Sequence, residues 1–141
     1  MTNDKCYTLF DHTADLGIKI RGSDLKNLFE EAGRALMELM VRGEPSEKTS
    51  SKTISVSSGD LADLMVRWLG EILYLLEGES LVVTSIHIDS VSSFRLEATL
   101  ETVPLDPNIH EILREIKAVT YHQIEVAEKG DHWQARVIFD L

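Results

Sequence analysis

Between Leu25 and Met40 apolar residues return every three or four positions: Leu25, Leu28, Phe29, Ala32, Leu36, Leu39 and Met40 form one stripe of an amphipathic helix. Ser23 just before it offers an N-cap, with Asp24 in the first turn. A wider stripe, Leu61, Leu64, Met65, Trp68, Leu69, Ile72, Leu73, Leu75 and Leu76, predicts a more deeply buried helix from about Asp60 to Glu77, capped by Ser57 or Ser58. Elsewhere the period falls to two. Cys6 to Phe10 and Leu16 to Arg21 read as strands on either side of the polar stretch Asp11-His12-Thr13-Ala14-Asp15. Further strands are predicted over Thr53 to Ser57, Leu81 to Asp89, Phe94 to Val103, Ile116 to Val126 and Trp133 to Leu141. Val91-Ser92-Ser93 and Glu128-Lys129-Gly130-Asp131 are the turns between neighbours. Arg42 to Ser51 and Pro104 to Ile109 read as loops, the latter followed by a short helical turn at His110 to Leu113. This order of elements predicts an α+β fold, two amphipathic helices packed on a largely antiparallel β-sheet.

Composition fixes the scale. The chain has 141 residues, 43% of them apolar and 27% charged, enough for one core in a single domain over 1–141. Twenty-four Asp and Glu against fourteen Lys and Arg leave a net charge of -10 and an isoelectric point near 4.9. Such acidity argues against unaided binding to nucleic acid or an anionic membrane, because affinity for phosphates comes largely from Lys and Arg. Cations and basic surfaces are the expected partners. The single Cys6 has no intramolecular disulfide partner and reads as a half-buried strand residue. Met1 to Lys5 is polar, without a signal-peptide run, and the longest apolar cluster, Ile72 to Leu76, is too short to span a membrane. The expected location is the cytoplasm.

The familiar enzyme signatures are missing: no nucleophile elbow, P-loop, dinucleotide fingerprint, zincin helix or Cys pair. What remains is Asp11, His12 and Asp15, two carboxylates and an imidazole between two strands. They offer part of an oxygen shell for a hard divalent cation; equally, Asx residues in a turn accept backbone hydrogen bonds. The C-terminal strand places Trp133, Ala135, Val137, Phe139 and Leu141 on one face and Gln134, Arg136, Ile138 and Asp140 on the other. Asp140 beside the α-carboxylate of Leu141 concentrates negative charge, and with Asp15 nearby the three would bind a cation well. Alternation sets Lys117 with Val119 and Tyr121 opposite Ile116 and Ala118, as a solvated strand charge or a phosphate-holding ammonium. His12 and His122 are either structural or acid/base groups, while His87, His110 and His132 have no telling companions. Trp68 and Trp133 read as core aromatics, and no aromatic-plus-basic stripe points to base stacking.

Three of these segments together resemble the archease family: Asp11-His12-Thr13-Ala14-Asp15 after an aromatic strand, Lys117-Ala118-Val119-Thr120-Tyr121 in the last third, and the closing Phe139-Asp140-Leu141. The resemblance spans the chain, with two helices between the first motif and the second. It implies a small α+β protein, not an enzyme itself, that activates the RtcB-type tRNA-splicing ligase. The activated step is guanylylation, attack of a ligase histidine on GTP, with multiple turnover and broader nucleotide use as further effects. It implies a metal site at Asp15, Asp140 and Leu141, with calcium first and magnesium or manganese also compatible with oxygen ligands. It places the family's motif lysine at Lys117 and gives His122 no role. Asp11 and His12 are read as loop structure. Contact with tRNA is expected only through the ligase. Two other readings are a chaperone-like partner of a tRNA methyltransferase and a metal-dependent hydrolase built on Asp11, His12 and Asp15.

Overall fold

The computed structural model describes residues 6–12, 15–43 and 47–141, with the backbone alone at Asp11 and His12. Twelve elements follow in order: β1 (Tyr7–His12), β2 (Asp15–Gly22), α1 (Leu25–Met40), β3 (Val41–Gly43), β4 (Ser50–Ser57), α2 (Leu61–Glu79), β5 (Leu81–Val91), β6 (Arg95–Pro104), β7 (His110–Ile112), β8 (Ala118–Val119), β9 (Glu125–Lys129) and β10 (His132–Asp140). All strand pairs are antiparallel. A five-stranded sheet runs β1-β2-β10, with β8 and β9 sharing the far edge of β10; a three-stranded sheet runs β4-β6-β5; β3 and β7 form a small third pair. Helix α1 packs on both β2 and β5, so it bridges the two larger sheets. This is the α+β arrangement expected from the helical stripes and the strands around them.

Both helices bury the stripe their sequence announces. Trp68, Phe29 and Phe139 are the largest fully buried side chains, and Trp68 Nε1 donates to the Phe29 carbonyl at 2.9 Å, so the indole enters the core with its polar atom satisfied. The caps fall later than the serines suggest, by one residue for α1 and by two or three for α2. Asp24 caps α1 and Asp60 caps α2, their carboxylates accepting from Asn27 N–H and Asp63 N–H at 2.8 Å. In return Asn27 and Asp63 side chains accept from Ser23 N–H and Gly59 N–H, a reciprocal arrangement that aspartate completes and the serines do not occupy. Among the described residues no helix is long and apolar enough to cross a membrane.

Four expectations are corrected. His110 to Leu113 is no helical turn: β7 pairs with β3, because α1 ends directly in extended backbone at Val41 and offers a strand edge, with Leu113 N–H donating to Met40 O at 2.8 Å. The loop over Arg42 to Ser51 is accordingly shorter, giving residues to β3 and β4. The strand over Ile116 to Val126 is broken in two. Val119 pairs with Phe139 and Glu125 with Arg136, six steps along one chain (125 − 119) against three along β10 (139 − 136), so the surplus loops out, with Gln123 at a φ of 52°. Cys6 precedes β1 and is exposed, not half-buried.

Candidate functional site

Side chains in β10 alternate across the sheet, and this sets the site. Ala135, Val137 and Phe139 are fully buried on the core face, while Asp140 is exposed and turned to the outer face. Register then brings distant residues together. Asp140 lies opposite Asp15 of β2 on one side and Ala118 of β8 on the other, and Asp15 lies opposite His12 of β1. One row crosses four strands, with two aspartates side by side in it. Directly opposed residues in an antiparallel pair have Cβ atoms about 5 Å apart on the same face, and like charges there repel. A cation between them removes that repulsion.

Asp15 is half-buried at the mouth of β2, and Leu141, just beyond the end of β10, is 41% exposed. Among the described residues no group of three or more His, Cys, Asp or Glu side chains converges. Among the described side chains of this row the ones that could donate oxygen to a cation are Asp15 and Asp140, and Leu141 follows Asp140 directly in the chain. Such hard oxygen donors fit a divalent cation in an open shell, since calcium takes six to eight oxygens. Asp11 and His12, read as loop from the sequence, are the last two residues of β1, opposite Leu16 and Asp15 of β2; their side chains lie outside the described residues.

The segment carrying Lys117 acts as a strap over the end of β10. Lys117 N–H donates to Asp140 O at 2.8 Å, and Thr120 bonds Ile138 O through both its N–H, at 3.0 Å, and its hydroxyl, at 2.8 Å. Ile116 and Val119 both pack toward the core, which breaks the simple alternation expected around Lys117; its side chain is exposed. Tyr121 fastens the strap to the start of α2: its hydroxyl donates to Asp63 Oδ1 at 2.7 Å. Asp63 Oδ2 also accepts from Arg67 Nε at 2.9 Å and Gly59 N–H at 3.0 Å. The Tyr121 hydroxyl first, then Gly59 N–H and Arg67, lower the Asp63 carboxyl to about 2. The same bond pushes the Tyr121 phenol up. His122 is exposed, its N–H donating to Thr120 Oγ1 at 3.3 Å. Sequence reasoning missed Asp63 because its local signals, three residues after Asp60 and four before Arg67, speak only of capping and helix pairing.

Comparison with known proteins bears on the family and the fold. The sequence profile of the archease protein family matches residues 7–141. Protein archease of Methanosarcina acetivorans is 31% identical over 141 residues, covering 97% of each chain. The solution structure of Methanobacterium thermoautotrophicum Protein 1598 superposes with a TM-score of 0.73 at 31% identity, covering 97% of this chain and 99% of that one. The crystal structure of a Thermotoga maritima archease, described as a possible chaperone, has a TM-score of 0.66 at 24% identity over 94% of each chain and shares the fold. With its fold and nearly its whole length matched, the chain belongs to the archease family.

Proposed function

We propose that the chain activates an RtcB-type tRNA-splicing ligase by promoting its guanylylation, and with it multiple turnover. The observation that supports this is the placement of Asp15 directly opposite Asp140, with Lys117 bonded through its main chain to Asp140. In this reading Asp15, Asp140 and main-chain oxygen of Leu141 hold a divalent cation, calcium by family resemblance, with magnesium or manganese as alternatives. Bound there, the cation supplies charge neutralisation toward a triphosphate.

The rest is the work of the chain's own residues. The β2-β10 ladder holds the two carboxylates at fixed separation on the outer face, and the strap from Lys117 to Thr120 keeps the end of β10 from fraying. The exposed Lys117 ammonium contacts phosphate or the ligase as a compact point charge. Two side-chain donors leave coordination positions open, which suits a site completed by a partner's substrate. The acidic surface brings the chain to tRNA through the ligase and not by direct grip.

The test is single-turnover guanylylation of purified ligase with GTP. Asp15→Ala, Asp140→Ala and Lys117→Ala should each slow the stimulated rate by roughly tenfold or more, as loss of groups around a metal does. Full stimulation by all three variants overturns the proposal.

A further inference from the structure

The row of Asp15 and Asp140 is one end of a face whose other end has the opposite sign. Residues an even number of steps away in register share that face. Thr8, Lys19, Arg136 and Glu125 form a row four residues along, about 13 Å away at 3.3 Å per residue. Arg21, Gln134 and Ala127 form the next. Between the acidic and basic ends lies the row of Phe10, Gly17 and Ile138.

Among the described residues the cations here lie outside the chain's ion pairs, as Lys26, Arg114 and Lys117 also do, but only here do three of them gather on one sheet face. Arg34, Arg42, Lys52, Arg67 and Arg95 each pair with a carboxylate at 3.0 Å or less. Among the described residues Lys19, Arg21 and Arg136 form no ion pair, although the chain carries ten excess negative charges. The nearest acid in their rows, Glu125, is 3.8 Å from Lys129. Lys19 and Arg21 are exposed and, with Cys6, Thr8 and Gln134, help line a shallow cavity of about 260 Å³. Arg136 is held in place: its guanidinium carbon sits 4.8 Å from the Phe10 ring centroid and Nη2 donates to Gln123 Oε1 at 3.0 Å. Its Nε is buried with no hydrogen-bond partner.

Resting on the ligase reading, we infer that this basic end is a docking surface for an acidic segment of the protein partner. It fixes the direction in which that partner lies across the sheet, with carboxylates over Lys19, Arg21 and Arg136 and the nucleotide-handling site over Asp15 and Asp140. Charge complementarity selects an anionic occupant, and two features select protein over RNA. Phe10 offers no stacking platform, because its ring lies against Gly17 and under Arg136. The net charge of -10 repels a long phosphate chain, whereas a short acidic segment feels mainly the cations within a Debye length of about 8 Å. The sequence concealed this surface because its cations come from two strands far apart in the chain, β2 and β10.

The experiment compares association of purified ligase with the wild-type chain and with the exposed double variant Lys19→Glu/Arg21→Glu, whose fold is checked by circular dichroism. The double variant should associate about tenfold more slowly at low salt, with the difference shrinking as salt rises, and should still stimulate guanylylation at saturating concentration. Asp15→Asn/Asp140→Asn should do the reverse: dock normally and fail to stimulate. Equal association rates for the wild type and Lys19→Glu/Arg21→Glu overturn the docking surface while leaving the ligase reading intact. Binding of fluorescein-labelled oligouridylate by the wild type, lost in the same variant, also overturns it by making RNA the occupant. A wild-type chain that neither binds nor stimulates the ligase overturns the reading and the surface together.

Discussion

Asp63 shows how one side chain ties the segment after Lys117 to the scaffold. It is not the N-cap of α2, yet it gathers the Tyr121 hydroxyl, Gly59 N–H and Arg67 Nε on a single carboxylate. A carboxyl held at about 2 in the folded chain and near 3.8 when free contributes stability that is present above pH 4 and lost as pH falls toward 2. Tyr121→Phe keeps the ring and removes the strongest cause of that depression. Its urea midpoint should therefore fall less steeply than the wild type's between pH 4 and pH 2; parallel curves would show that the hydroxyl is not what holds Asp63. Tyr7 is the alkaline counterpart. Burial first, then the Glu38 carboxylate accepting its hydroxyl at 3.1 Å, push its phenol up to about 12. The contribution of this raised group is complete below pH 10 and is lost as pH rises through 12. Titration at the phenolate absorbance band should show an ionisation near pH 12 that is absent in Tyr7→Phe.

At the scale of the element, what the sequence makes legible is what repeats locally. The two helices are readable because fifteen or more residues each carry a 3.6-residue stripe, whereas their caps are not, since Ser and Asp stand within one to three residues of each other and only geometry chooses between them. A three-residue strand such as β7 has too few positions to show a period, and β8 and β9 share an alternation that conceals the loop between them. The pairing of Asp15 with Asp140 has no local signal at all, because ladder register is set by the whole sheet; family resemblance, not spacing, pointed to it. Gly17 shows the same limit. It sits mid-strand, where glycine usually weakens pairing, and the reason is visible only across strands: a Cβ there would lie 2.2 Å from the Phe10 ring. Gly17→Val gains strand propensity of at most about 1 kcal/mol, yet must expel the ring and its contact with Arg136. A net loss of about 1–3 kcal/mol is expected in chemical denaturation, typical of overpacking. An unchanged midpoint would mean that the ring contributes nothing where it lies.

For the whole molecule, the site joins the start of the second strand to the last residues of the last strand, so a ligand there closes nearly the entire chain into one cooperative unit. Asp15 and Asp140 sit opposite each other only when β2 and β10 are paired, and the unfolded chain has no such pair. A cation bound by the folded form alone raises stability by RT ln(1 + [L]/Kd), about 2.7 kcal/mol at a hundredfold excess over Kd. In a chain of 141 residues that corresponds to a rise in Tm of roughly 10 °C. Calorimetry with calcium, magnesium and manganese in turn should show this rise for the preferred ion and its loss in Asp15→Asn and Asp140→Asn. The metal-free state supplies a second sign. Directly opposed like charges destabilise an antiparallel pair, so in chelator Asp140→Asn should melt at or above the wild type. A lower melting point for this variant in chelator would mean that the carboxylates serve the fold, and an equal rise in variant and wild type would place the cation elsewhere. Only the combination, a wild type that is the less stable form without metal and the more stable form with it, describes a ladder whose ends are built around a cation.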